Sequence, residues 1–148
     1  MKKVEIVGVY LAPSIFGGTP VVLLKEDTGR ILQIFIGAPE ALAIHSAIQG
    51  ITPPRPMTHD LTAEILERLN ARIEKVVIDD LIENTFYARI FIRMDEMEHE
   101  IDARPSDSIA LALRFDAEVF VEEKVFDEAG YIQDVPEDYV PFEQLTIE

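Results

Sequence analysis

Residues 85–93, Thr-Phe-Tyr-Ala-Arg-Ile-Phe-Ile-Arg, alternate without a break. Phe86, Ala88, Ile90 and Ile92 fall on one side, and Tyr87, Arg89, Phe91 and Arg93 on the other. That period of two reads as a β-strand. Upstream, Ile73 to Ile82 is a long strand joined to it by a turn at Glu83-Asn84. Downstream, Met94-Asp95-Glu96 turns again, Met97–Asp102 is a further strand, and Arg104-Pro105-Ser106-Asp107 opens a helix. Ile109 to Leu113 is apolar nearly all round, which predicts a buried helix. The same order occurs earlier. Val4 to Leu11 alternates, residues 12–18 are loop material, Thr19 to Lys25 is an apolar run, and residues 26–29 turn into Ile31–Ile36. Gly37-Ala38-Pro39 then opens a helix that Gly50 ends. Sliding the chain by 66 residues sets Thr19 on Thr85, Phe35 on Ile101 and Pro39 on Pro105 without a gap. The reading is an α+β fold: two β-β-β-α units, about residues 1–50 and 72–115, forming a mixed or antiparallel sheet packed by helices.

Between the units, residues 51–71 act as connector. Pro53, Pro54 and Pro56 exclude a helix there. Thr58 is the expected N-cap of a connecting helix that carries Leu61, Ile65, Leu66 and Leu69. Glu118–Val121 reads as a last short strand, completing a domain of residues 1–125. Residues 126–148 form an acidic extension containing Phe126, Tyr131, Tyr139, Val140, Phe142 and Leu145, a density of apolar side chains that predicts packing against the body or a second subunit.

At 148 residues the chain has the length of one domain with a substantial core. It contains no cysteine, which excludes disulfides, thiolate metal sites and cysteine nucleophiles and suits a reducing cytoplasm. Met1-Lys2-Lys3 runs straight into a strand, with neither a signal-peptide core nor an apolar run of spanning length, so no membrane association is expected. The net charge of −15 works against a phosphate-backbone binder. From Asp116 onward there are eleven acids and one base, leaving seventeen acids and twelve bases before it, so two thirds of the excess lies near the C-terminus.

Two stretches carry chemistry. Residues 101–108, Ile-Asp-Ala-Arg-Pro-Ser-Asp-Ser, join a strand end to a helix N-terminus, a natural anion site. Asp102 and Asp107 are candidate ligands for a shared Mg²⁺ or Mn²⁺, with Arg104 and Ser106 on a phosphate. Glu98 and Glu100 share a strand face with Asp102, where the first unit has Leu32, Ile34 and Ile36, so an apolar face becomes a row of carboxylates. The same residues also read as helix capping by Ser106 or Asp107, an Arg104–Asp102 pair and a solvated edge. The second stretch is Arg55-Pro56-Met57-Thr58-His59-Asp60. His59 is a candidate for proton transfer and Asp60 for an orienting carboxylate or metal ligand; a capped helix with a solvent-facing His is the structural alternative. Adjacent helix positions diverge by about 100°, which disfavours a direct His59–Asp60 pair. Gly17-Gly18 reads as a permissive hairpin loop, His45 as a half-buried side chain and His99 as exposed.

The stretches Gly17-Gly18-Thr19-Pro20-Val21-Val22-Leu23, Ile36-Gly37-Ala38-Pro39-Glu40-Ala41, Pro54-Arg55-Pro56-Met57-Thr58-His59-Asp60-Leu61 and Asp102-Ala103-Arg104-Pro105-Ser106-Asp107-Ser108-Ile109 resemble the bifunctional nuclease family of bacteria and plants. The resemblance covers roughly residues 1–125 in order and spacing. It implies a nuclease acting on DNA, RNA or both with little sequence preference. Carried onto this chain, it makes Asp102, Asp107 and Asp60 candidate ligands for Mg²⁺ or Mn²⁺, Arg104, Arg55 and Ser106 candidate phosphate binders, and His59 the proton-transfer group, with Glu40 a further acid. Nucleic acid is then the expected partner, with a homo-oligomer also in view. Two other readings compete: a self-associating or protein-binding module without catalysis, and a site for a small phosphorylated metabolite.

Overall fold

The computed structural model describes residues 1–15 and 17–142; Phe16 of the first loop and Leu145, with the rest of residues 143–148 of the acidic extension, lie outside the described residues. Two strand trios, each closed by a helix, follow one another along the chain. The first is β1 (Lys2–Ser14), β2 (Gly17–Glu26), β3 (Ile31–Phe35) and α1 (Ala38–Gln49). After α2 (Thr58–Arg68) comes the second: β4 (Ala71–Ile82), β5 (Thr85–Met94), β6 (Met97–Ala103) and α3 (Pro105–Phe115). β7 (Glu118–Val121), α4 (Glu123–Ala129) and β8 (Val140–Pro141) complete the described elements. All strands share one open mixed sheet in the order β3-β2-β1-β7-β4-β5-β6, with β8 beside β1.

The expected α+β architecture of two β-β-β-α units is what the chain forms. Three local expectations are corrected. β1 and β2 run on through residues 12–14 and 17–18, which pair as Ala12 with Thr19, Pro13 with Gly18 and Ser14 with Gly17. Gly18 is needed for closeness: a Cβ there would fall 2.7 Å from the Leu11 Cβ. β7 is not the last strand but the central one, antiparallel to β1 and parallel to β4, and so joins the two trios.

The third correction is one of parity. Leu32 and Ile34 face the helices with Val22 and Leu24. On β6, however, Glu98, Glu100 and Asp102 stand opposite Arg93, Phe91 and Arg89, across the sheet from the buried Ala88, Ile90 and Ile92. The last pair of β2 and β3, Lys25 with Ile31, encloses five residues, but that of β5 and β6, Met94 with Met97, encloses Asp95 and Glu96 alone, a difference of three. That odd difference leaves a gapless slide out of step in parity, and a slip by an odd number of residues sends every side chain to the other face. The carboxylate row lies on the sheet's open face and does not replace Leu32, Ile34 and Ile36.

β2 explains its own composition. Val21, Val22, Leu23 and Leu24 are all fully buried, Val22 and Leu24 under the helices and Val21 and Leu23 under Tyr10, Ile132, Val135 and Tyr139. A continuous apolar run is what a strand covered on both faces requires, whereas β5 alternates because its far face is open. The cover of the first trio is fastened in several places. Ile31 and Ile132 exchange backbone hydrogen bonds at 2.7 and 3.0 Å, the Phe142 amide donates to the Val9 carbonyl at 2.8 Å, and the Tyr139 hydroxyl donates to Gln33 Oε1. His45 of α1 meets the Phe142 ring edge-on, with centroids 5.5 Å apart.

Glu26 is the deepest of these fastenings. Its side chain is buried and accepts from the Thr28 hydroxyl, the Arg30 amide at 2.9 Å and the Arg30 guanidinium at 3.1 Å. Arg30 in turn donates to Glu123 of α4 at 2.5 and 3.1 Å and lies over the Phe126 ring at 4.4 Å. Burial alone would raise the Glu26 carboxyl, but the donors from Thr28 and Arg30 outweigh it and hold the group at about 2. With the folded value below the unfolded one, Glu26 adds stability above the ordinary Glu range and loses it as pH falls toward about 2. The contribution at neutral pH is about 3 kcal/mol. Glu26→Gln is therefore expected to lower the melting temperature strongly at pH 7 and much less near pH 2.5. Thermal unfolding followed by circular dichroism at the two pH values checks both the size and the sign.

Candidate functional site

Three helices begin beside one another, and each has an acid as its third residue: Glu40 in α1, Asp60 in α2 and Asp107 in α3. Carboxylates in a first turn satisfy free N–H groups and oppose the positive helix end. Pro39 and Pro105 suit the first turns of α1 and α3, where a missing N–H costs nothing. The cap of α2 is Met57 and not Thr58; its amide donates to Asp60 Oδ2 at 3.1 Å. Together the helices wall a cleft of about 540 Å³ that His59, Arg104 and Arg114 also line.

Arginines from the two ends of α3 hold the acids. Arg104, the cap residue, bonds Asp107 Oδ2 at 2.9 Å and lies 3.6 Å from Glu40 Oε2. The Asp107 and Glu40 carboxylates raise the guanidinium above its ordinary value. Arg114, in the last turn, donates to Asp60 at 2.8 Å, to the Ala110 carbonyl at 2.7 Å and to the Ala43 carbonyl of α1 at 3.2 Å. Burial would raise the Asp60 carboxyl, but hydrogen bonds from Arg114 and the Met57 amide outweigh it and hold it below its ordinary value. His59 Nε2 lies 2.8 Å from Asp107 Oδ1, so the imidazole N–H donates to the carboxylate. Asp107 thus has one oxygen on His59 and the other on Arg104.

The structure brings His59, Asp60, Arg104 and Asp107 of the expected residues to one cleft, with Glu40 beside them. It does not bring the others. Asp102 is exposed on the opposite face of the sheet, without a partner among the described residues, so it shares no site with Asp107. Ser106 is buried and borders a second hollow of about 430 Å³ on the far side of Arg104. Arg55 is exposed in the proline segment and does not line the cleft. His59 and Asp60 do not pair with each other, as their divergence on a helix implies, and contact Asp107 and Arg114 instead.

Arg114 is the residue that sequence reasoning missed. Asp107, Leu111 and Arg114 stand at i, i+4 and i+7 on α3, and that spacing sets all three on the same helix face.

The carboxylates of the cleft are engaged by donors of the chain itself. Among the described residues no group of three or more His, Asp or Glu side chains is placed to hold a metal ion. The carboxylate oxygens of Asp107 and Asp60 face hydrogen-bond donors, and Arg104 occupies the space between Asp107 and Glu40. A Mg²⁺ or Mn²⁺ ion, held by one or two carboxylates with waters and substrate phosphates, would have to displace those donors.

With this geometry in hand, comparison with known proteins gives the family. The bifunctional nuclease domain matches residues 21–134. An uncharacterized protein of Mycobacterium tuberculosis is 41% identical over 133 residues, covering 89% of this chain and 78% of its own. Bifunctional nuclease 1 of rice, Oryza sativa, is 27% identical over 132 residues, covering 84% of this chain and 40% of its own. Bifunctional nuclease 1 of Arabidopsis thaliana is 23% identical over 100 residues, covering 64% of this chain and 31% of its own. The chain belongs to the bifunctional nuclease domain family. No helix among the described residues is long and apolar enough to cross a membrane.

Removing the Arg114 side chain strands Asp60 and two helix carbonyls. Arg114→Met is expected to cost about 2–4 kcal/mol, the penalty for leaving a mostly buried charge unpaired. For a chain of this size that is a melting temperature lower by roughly 5–15 °C, and Arg114→Lys should fall between the two, with charge but no fork. Differential scanning calorimetry of the three proteins measures it.

Proposed function

We propose that this chain is a nuclease that hydrolyses phosphodiester bonds of DNA, RNA or both, with little sequence preference, in the cleft where α1, α2 and α3 begin. The observation that carries the reading is the His59–Asp107 pair at 2.8 Å, with Arg104 on the other carboxylate oxygen, in a member of a nuclease-domain family. Asp107 holds the ring in the tautomer with its proton on Nε2, which leaves the lone pair on Nδ1 as the base. His59 accepts a proton from the attacking water as the oxygen–phosphorus bond forms. It returns that proton to the leaving oxygen as the ester bond breaks. Arg104 turns from Glu40 to a non-bridging phosphate oxygen, for which its planar fork is suited. Asp60 acts at one remove: tied to Arg114, it sets the pitch of the first turn of α2 that carries His59.

The resemblance brings Mg²⁺ or Mn²⁺ to mind, but the carboxylates here are already engaged, and the proton transfers rest on His59. A chain carrying −15 attracts a polyanion weakly, so binding is modest and falls steeply with salt. Lack of cysteine agrees with work in the reducing cytoplasm.

Purified protein is incubated with single-stranded DNA, duplex DNA and RNA, in Mg²⁺, Mn²⁺ or EDTA. His59→Ala is expected to reduce cleavage by roughly a hundredfold to ten-thousandfold. Asp107→Asn should act in the same direction, and Asp102→Asn, on the far face, should leave the rate unchanged. Cleavage that survives His59→Ala, or that Asp102→Asn abolishes, moves the chemistry to another site. Binding without turnover on every substrate ends the nuclease reading.

A further inference from the structure

α2 is amphipathic the wrong way round for a solvated surface helix. Its inner face, Ala63 with Leu66 and His59, packs on the body. Its outer face, where charged residues belong, carries Leu61, Ile65 and Leu69, preceded by Met57. These four side chains are 49–60% exposed. They recur every four residues and form one ridge. Beyond the helix Leu69 shares a groove of about 520 Å³ with Met94 and Ile101 of the sheet edge, both also exposed, which Glu98, His99 and Glu100 line as well. An apolar ridge of four neighbouring side chains on a charged chain marks a docking surface, not ordinary scatter.

We infer that a second copy of this chain covers this face, the two α2 helices packing antiparallel about a two-fold axis level with Leu66. Two observations select that occupant. The first is the spacing. With the axis at that level, the ridge of each helix falls two residues out of phase with the other, so Ile65 drops between the second copy's Ile65 and Leu69, and Leu69 between its Leu61 and Ile65. The second is charge. Glu64 and Arg68 flank the ridge on one side, 50% and 79% exposed, and pair with each other at 3.1 Å within the helix. A two-fold brings like flanks together, and the same register sets Glu64 opposite the second copy's Arg68 on both sides of the axis. The surface is therefore complementary to itself, as an isologous contact must be.

Pairing through the β6 edge does not compete. A second β6 laid antiparallel would bring Glu98 and Glu100 against their own kind, a device that guards sheet edges. A nucleic acid would find an apolar ridge in place of the basic one it needs. Since α2 also carries His59 and Asp60, and Met57 and Thr62 line the cleft, the proposed interface runs along the wall of each cleft.

Sedimentation velocity and light scattering of the full chain at micromolar concentration test this. The expected result is a dimer that Ile65→Glu weakens by about tenfold or more, because a carboxylate is driven into the centre of the apolar contact. Circular dichroism should show the variant as folded as the parent, since Ile65 faces solvent in the single chain. Glu64→Arg and Arg68→Glu should each weaken self-association. Mixed together they should form a heterodimer in preference to either homodimer, because every flank pair then joins opposite charges. That last arm decides the matter even if Ile65→Glu fails to fold. A parent that stays monomeric overturns the proposal. So does a dimer indifferent to Ile65→Glu, or a mixture of the two charge variants with no preference for the heterodimer.

Discussion

The cleft exists because α3 supplies an arginine from each of its ends. Three helix N-termini brought together set three partial positive charges side by side, which is unfavourable unless carboxylates answer them. Glu40, Asp60 and Asp107 do so from the third position of each helix. Such acids, close together and half-buried, would repel one another in turn. Arg104 bridges two of them, and Arg114 takes the third while tying down a carbonyl of α1 and one of α3 itself. Take away the arginines and the helices lose both their neutralising charge and their mutual orientation.

That arrangement has a chemical consequence. Clustered acids would ordinarily suggest a divalent cation, and in this molecule guanidinium groups stand where the cation would. What is left with chemistry to offer is an imidazole oriented by Asp107. Two arginines of the other face are equally committed. Arg89 pairs with Asp79 and Glu100, and Arg93 with Glu74 and Glu98, across the open side of the sheet. The positive charge of Arg89 and Arg93 is thus spent within the fold.

Much of this was legible from the residues in order. Alternation in 85–93, an unbroken apolar run in 21–24, prolines at helix starts and Gly50 at a helix end are all local consequences of backbone geometry, and each element formed where those features put it. The two β-β-β-α units followed from their order. What misled was the gapless 66-residue slide, since it treated two turns of different length as equal and so moved Asp102 to the wrong face.

By itself the sequence determined the strands and helices of the two units and the segments rich in chemistry, because periodicity and φ restriction act over a few residues; α4 and β8, in the acidic extension, it did not show. The tertiary structure decided which of those segments meet. Asp107 and His59 lie 48 positions apart, and Asp60 and Arg114 54, so each pairing rests on where the sheet delivers α3 against α2. Arg114 gave little sign of itself for the same reason: a lone arginine in a last helical turn becomes a clasp only when the start of α2 and the middle of α1 are brought to it.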